Sequence, residues 1–413
     1  MFEYFKYIFI TVLSTFFIHI GIVVYDAIHH PVAVGQFVHP DIGLDIETLV
    51  KRNGYPFEKH HVTTEDGYIL ELHRIRHGLN KKNLTNRPPI LIVHGILESS
   101  MAWLSAGVDK ALPYYLAEQG YDVWLSNCRG NAYSRKHIKL NPDVDKKEFF
   151  DYSWHEIGVY DHPATIDYVI KKTGKSKIFY AGHSQGSVSF MVMMSERPEY
   201  NKKIKAMLAL APVVFVDHVK SPTFYIPALF QNAFEWIVEY FGLYELLPKS
   251  EIITQIANKL CNDESRLQKL CSTLLNINGG FNGDKFNSTL WPVVFSHIPA
   301  GSATKQYMHY TRNIFNDFRK FDYGEAKNLL VYGNKIPPLY DLSKVAAPVG
   351  IFYGNNDWLT PEKDVQKLIR SLPNVVMVHK VADENFAHFD FLVSLHAVDI
   401  LYDKLVNLMQ QYK

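Results

Sequence analysis

The sequence predicts an α/β fold: a mostly parallel central sheet flanked by helices, interrupted late by a mainly helical insertion. Three observations predict it. Short, continuous apolar runs suited to strands buried on both faces alternate with stretches of helical length. That alternation stops after Ala211-Pro212 and resumes only at Pro348. Between one apolar run and a buried helical stretch lies Gly182-His183-Ser184-Gln185-Gly186, which suits a sharp strand-to-helix turn. Strands that alternate with helices pair in parallel, because each helical crossover returns the chain to the same end of the sheet.

The 413 residues are 47% hydrophobic and 21% charged, ordinary for a globular protein with a large core. A net charge of +1 with no basic stripe argues against a nucleic-acid partner. Aromatic residues reach 14%, which suits either a bulky core or contact with lipid. Residues 1–27 are expected to be a targeting segment. Lys6 precedes an apolar run, Tyr7 to Tyr25, broken only by Thr11, Ser14, Thr15 and His19. It reads as a secretory signal peptide. The run also approaches the ~20 residues that span a bilayer and lacks a good small-residue cleavage site, so an N-terminal membrane anchor is the alternative. Either places the body of the protein in the secretory pathway. An extracellular destination is expected, with a lysosomal or membrane-anchored one as alternatives. Sequons at Asn83-Leu84-Thr85 and Asn287-Ser288-Thr289 agree as glycosylation acceptors. Cys261 and Cys271 bracket a short loop; they could pair in an oxidising compartment or be two buried thiols. Cys128 is then a free buried thiol.

A short helix is expected near Ile46 to Arg52. His60 to Thr64 and Tyr68 to Arg76 alternate apolar with polar residues around Glu65-Asp66-Gly67, a hairpin pattern. Pro89 to Val93 is a buried strand ending in His94-Gly95-Ile96-Leu97. Ala111 to Gln119 is a helix stopped by Gly120. Tyr121 to Leu125 is a strand, and Asp161 to Lys172 a helix ending at Gly174. Lys177 to Ala181 is the strand before Ser184, Ser187 to Ser195 the helix after it, and Ile204 to Leu210 another buried strand. Residues 28–212 thus form the first part of the core. Residues 213–338 read as a mainly helical cap with many loops and no clear buried strand. Within it, Phe230, Phe234, Ile237, Val238 and Phe241 recur at helical spacing beside Trp236, Tyr240 and Tyr244. They are either packed on the core or form a lipid-facing lid or acyl pocket. Residues 339–413 complete the core, with strands at Pro348 to Tyr353 and Asn374 to Val381 and a helix from Leu392 to Met409.

Gly182 to Gly186 fits G-x-S-x-G, the nucleophile elbow of α/β-hydrolases, in which glycines flank a serine left exposed on a strained turn. A serine hydroxyl needs a base within reach, and the base an orienting carboxylate. In this fold the chain order is Ser, then Asp or Glu, then His. Here that order is Ser184, Asp357 and His388, each directly after an expected strand at one end of the sheet. Asp364, Asp383 and His379 are rivals with poorer positions. Ser184 is the expected nucleophile, His388 the general base and then acid, and Asp357 the acid that holds the imidazole. The backbone N–H groups of Ile96 and Gln185 are expected to bind the oxyanion. His29-His30 and His60-His61 lack further ligands, read as solvated, and leave no metal expected.

The chain resembles the acid lipase family that includes gastric lipase and lysosomal acid lipase. The resemblance runs from about Val38 to the C-terminus. Its motifs are Thr64-Glu65-Asp66-Gly67-Tyr68-Ile69-Leu70, His94-Gly95-Ile96-Leu97 with Ser99-Ser100, and Gly120 to Leu125. They continue with Arg129-Gly130-Asn131, Tyr160-Asp161, Pro163 to Asp167, Gly182 to Gly186, and Pro299-Ala300-Gly301. Ile96 stands where the family has Leu, and Cys128 replaces a small polar residue. The resemblance implies the α/β-hydrolase fold, a cap with a mobile lid, and the same three catalytic residues. It also supports pairing Cys261 with Cys271. The expected function is hydrolysis of carboxylic esters of neutral lipids, triacylglycerols or sterol esters, at a lipid–water interface by a cofactor-free monomer. The alternatives are a carboxylesterase for small soluble esters and a catalytically silent lipid-binding protein.

Overall fold

The computed structural model describes residues 39–413, apart from 263, 264, 266, 267, 283–285 and 287. The expected N-terminal targeting segment, residues 1–27, and the expected glycosylation acceptor Asn287 therefore lie outside the described residues. Among those described, no helix is long and apolar enough to cross a membrane.

Eight strands form one sheet. β1 (Glu58–Thr63) and β2 (Ile69–Ile75) make the antiparallel hairpin read from the sequence, with Thr63 opposite Ile69. β3 (Pro89–Val93), β4 (Asp122–Leu125), β5 (Ile178–His183) and β6 (Ile204–Leu210) follow. β7 (Glu245–Leu246) and β8 (Ser302–Ala303) pair apart from the sheet, and β9 (Val349–Tyr353) and β10 (Val375–Lys380) complete it. The sheet order is β1-β2-β4-β3-β5-β6-β9-β10. β2 runs antiparallel to β4, and every pair from β4 to β10 is parallel. Every residue of β3, β4, β5 and β9 is buried, which is why these strands are mostly apolar, with Asp122 and His183 at the ends of β4 and β5 as the polar exceptions. Apolar cores lie on both faces, one including Trp103, Leu116 and Tyr402, the other Trp124, Ile166 and Met193.

The parallel strands bring their C-terminal ends to one edge, where ligands bind in open α/β sheets. The loops after β3, β5, β9 and β10 all open there. They carry Ile96, Ser184, Asp357 and His388.

Between β6 and β9 the chain is mainly helical, with helices at Pro222–Leu229, Gln231–Phe241, Glu251–Leu260, Gln268–Gly279 and Thr304–Asn313. β7 and β8 interrupt it; at two residues each they leave no periodic pattern to read. A disulfide joins Cys261 to Cys271 and so ties two of these helices together, while Cys128 is a buried free thiol.

Two expectations need correction. The C-terminal helix is not continuous. Asp390–Val393 ends where Ser394 turns extended (ψ 135°) and bridges Phe286, and the chain resumes as a wide turn at Val398–Tyr402 before the helix Asp403–Gln411. Apolar residues continue through the break, so periodicity did not reveal it. His60 is not a freely solvated residue either. Its Nδ1 lies 3.0 Å from the Tyr168 hydroxyl and its ring 4.9 Å from Trp124, whereas His61 is exposed. Alternation along β1 turns the two rings to opposite faces. His29 and His30 lie outside the described residues.

Candidate active site

β5 ends at His183, and the helix Gln185–Glu196 begins two residues later. Ser184 makes the turn alone, at φ 52° and ψ −117°. A side-chain-bearing residue at positive φ is strained and needs its surroundings to hold it. The Ser184 N–H donates to Leu210 O at 2.9 Å, and the Ser184 carbonyl accepts from Ser187 N at 3.0 Å. The flanking glycines are required by close approach. A Cβ on Gly182 would lie 2.6 Å from Gly186 O, and one on Gly186 would lie 2.6 Å from Val93 O. Sequence, turn and packing against β3 are therefore one feature.

Asp357 and His388 meet across the loops after β9 and β10. His388 Nδ1 lies 2.8 Å from Asp357 Oδ2, with both side chains buried. Asp357 Oδ1 accepts from the N–H groups of Leu359 and Thr360 at 2.8 Å each, and the Thr360 hydroxyl donates to Oδ2 at 2.6 Å. Burial works against the charge of Asp357, but His388 and Thr360 hold the carboxyl below the ordinary carboxylate range. An acceptor at Oδ2 fixes a hydrogen on Nδ1 of His388 and leaves Nε2 free to accept a proton. His183, next to Ser184, places its ring 4.8 Å from that of His388, and its Nε2 donates to the His388 carbonyl at 3.0 Å. No direct hydrogen bond joins Ser184 Oγ to His388 among the described residues. Such bonds often form only with substrate in place.

The loop after β3 adds the third part. His94 Nδ1 donates to Gly95 O at 2.7 Å, and His94 Nε2 accepts from Cys128 N at 3.1 Å. Burial pushes the imidazole below its usual pKa, so it is a neutral brace. Cys128 thus contributes a backbone donor, and burial pushes its thiol up, away from reactivity. Among the described residues, neither Ile96 N–H nor Gln185 N–H donates to another backbone group. Gln185 Nε2 donates instead to Gln306 Oε1 at 2.6 Å, tying the elbow to the helix Thr304–Asn313.

The rivals fall elsewhere. Asp364 accepts from His218 N and Nδ1, Asp383 from Asn385 N, and His379 Nε2 lies 3.4 Å from Ile400 O. Asp217, His218 and Asp364 come close enough to share an ion, but Asp217 is engaged by Lys367 at 2.7 Å and Asp364 by His218.

Sequence reading missed Glu98, His183 and Thr360. Glu98 is fully buried, accepts from Gly95 N at 2.7 Å, and faces His183 Nδ1 at 3.4 Å. Burial opposes both charges, yet their mutual attraction leaves Glu98 below and His183 above their ordinary pKa values. A glutamate in a loop after His-Gly looks like a surface charge in sequence.

A family described as the partial alpha/beta-hydrolase lipase region matches residues 46–107, and one described as the alpha/beta hydrolase fold matches residues 88–395. Lipase 1 of Drosophila melanogaster is 40% identical, over 90% of this chain and 81% of its own. The lysosomal acid lipase/cholesteryl ester hydrolase of Macaca fascicularis is 35% identical, over 91% and 93%. The chain belongs to the acid lipase family of α/β-hydrolases. A further relative, the gastric triacylglycerol lipase of Rattus norvegicus, is 35% identical to this chain, over 90% of it and 93% of its own. A Sulfolobus solfataricus protein of known crystal structure shares the fold, with a TM-score of 0.56 at 12% identity, over 86% of this chain and 94% of its own. The chain is thus a lipase, a serine-type hydrolase of carboxylic esters.

Proposed function

We propose that this lipase cleaves esters of neutral lipids, triacylglycerols or sterol esters, through an acyl-enzyme on Ser184. The single observation that carries the reading is the buried 2.8 Å bond from His388 to Asp357 beside the strained Ser184 turn. His388 Nε2 takes the Ser184 proton as Oγ attacks the acyl carbonyl, and the N–H groups of Ile96 and Gln185 receive the oxyanion. His388 then protonates the departing alcohol. Water, deprotonated by the same nitrogen, attacks the acyl-enzyme and releases the fatty acid. Asp357 keeps the imidazole oriented and stabilises its cation in both halves of the cycle.

The lipid class is supported by the helix Gln231–Phe241. Val238 is its one buried residue, while Trp236, Tyr240 and Phe241 are 61%, 69% and 62% exposed. An apolar face of this size suits a lipid–water interface. Ser184 is only 5% exposed, so substrate entry requires part of the cap to move. The names of two relatives supply the substrate classes, triacylglycerol and cholesteryl ester. The disulfide and an exposed Asn83 fit a chain that passes through the secretory pathway and is glycosylated there.

The test is a substrate panel of emulsified triacylglycerol, sterol ester and a short soluble ester, run on wild type and Ser184→Ala. The substitution is expected to lower turnover of all three by at least about 10⁴-fold, with the fold intact by circular dichroism. Activity within tenfold of wild type would overturn the mechanism, and a preference for the soluble ester would overturn the lipid class.

A further inference from the structure

One segment of the cap touches both loops that carry the acid–base pair. The helix Gln268–Gly279 ends with its last carbonyl directed at the two catalytic loops. Gly279 O accepts from Trp358 N at 3.1 Å and from His388 N at 3.2 Å. The residue after the acid and the base itself therefore hang from one cap oxygen. The next three residues extend the contact. A Cβ on Gly280, which sits at φ 114°, would run into Asn356 O. Phe281 O accepts from Asn356 Nδ2 at 2.5 Å, and the Phe281 ring lies 5.3 Å from that of Trp358. Asn282 Nδ2 donates to Asp390 Oδ1 at 2.6 Å, and the other oxygen of Asp390 accepts from Ala387 N at 2.7 Å.

We propose that Gly279–Asn282 is a positioning element that holds the Asp357 and His388 loops in register for the reaction. The inference rests on the reading of Asp357 and His388 as the acid–base pair. It divides the cap into two parts with different work. The aromatic helix Gln231–Phe241 faces outward, whereas the segment after Gln268–Gly279 belongs to the catalytic frame. The two parts are linked: the helix Pro222–Leu229 leads into the aromatic helix, and its Thr223 hydroxyl donates to Asn278 Oδ1 at 2.6 Å. The Cys261–Cys271 bridge anchors the helix that presents Gly279. Cap movement that admits substrate must leave this segment in place, or catalysis stops as the site opens.

The experiment uses the full chain, a soluble short-chain ester that does not need the interface, and an activated alkyl phosphonate that labels Ser184. Labelling counts competent sites, so kcat per labelled site is independent of how much protein has unfolded. Gly280→Ala is expected to lower kcat per site ~10²-fold with KM within about twofold, as expected for a displacement near 1 Å at the reacting groups. The phosphonate reaction should slow in parallel, because it needs the same base. Asn282→Ala removes one tie without adding bulk and is expected to lower kcat per site several-fold, which keeps the test decisive if Gly280→Ala fails to fold. A kcat per site equal to wild type in the folded variants would overturn the proposal. Failure of wild type to label at Ser184 would instead overturn the proposed mechanism beneath it.

Discussion

Glu98 and His183 form a buried charge pair that the reaction itself does not consume. His183 Nε2 faces a carbonyl and Nδ1 a carboxylate, an arrangement that favours hydrogens on both nitrogens and raises the pKa of the ring. Its raised pKa means its stabilising effect is complete below the unfolded value, about 6.5, and is lost as pH rises through the folded value. The lowered pKa of Glu98 gives the opposite limb: its effect is complete above about 4.3 and is lost as pH falls through the folded value. The pair therefore stabilises most in mildly acidic solution. Thermal unfolding of wild type and Glu98→Gln from pH 4 to 9 is expected to show the widest gap in Tm near about pH 5.5, narrowing toward alkaline pH. A gap independent of pH would contradict the ion pair. At this scale the Asp357–His388 bond and the Ser184 turn were legible as a proposed site, because each residue follows a strand end in the chain order of a Ser-Asp-His set. Glu98 was not, because the partner that holds its charge, His183 at the end of β5, is far from it in sequence.

The elbow shows how little freedom an element has once its neighbours are fixed. Gly186→Ala places a methyl 2.6 Å from Val93 O, so the helix must back away from β3 and take Ser184 with it. The expected cost is ~1–3 kcal/mol of stability, measured by urea unfolding, and a loss of activity of 10²-fold or more on a soluble ester. Retention of wild-type activity would show that the turn can relax. Strands were legible for the same reason that they are intolerant: β3, β5 and β9 are buried on both faces, so their sequences are mostly apolar runs. The break at Ser394 was hidden, since a bridge to Phe286 is a tertiary event that leaves no local breaker residue. The Gly279 segment was equally hidden, because backbone groups carry its contacts.

Across the whole molecule, the sheet gathers four loops at one edge, and the helical stretch between β6 and β9 contacts these loops and carries exposed apolar residues. The aromatic stripe was visible in sequence, but its direction was not. Helical spacing alone cannot distinguish a core-facing from a solvent-facing stripe, and here the stacked Trp236–Tyr240 pair, with centroids 5.0 Å apart, faces outward. Replacing both by Ser is expected to lower the ratio of emulsion to soluble-ester activity by about tenfold or more, since about 1.5–3 kcal/mol of apolar contact per ring is withdrawn from the interface. An unchanged ratio would assign lipid contact to another surface. The activity predictions rest on chemistry that passes through Ser184. Rapid acid quench of the enzyme during turnover of an activated ester, followed by mass analysis of the peptide spanning Ser184, tests that most directly. The account predicts an acyl adduct on Ser184 that forms within one turnover and disappears as substrate is exhausted. An adduct on another residue, or steady turnover of the ester with Ser184 unmodified at every quench time, would contradict it.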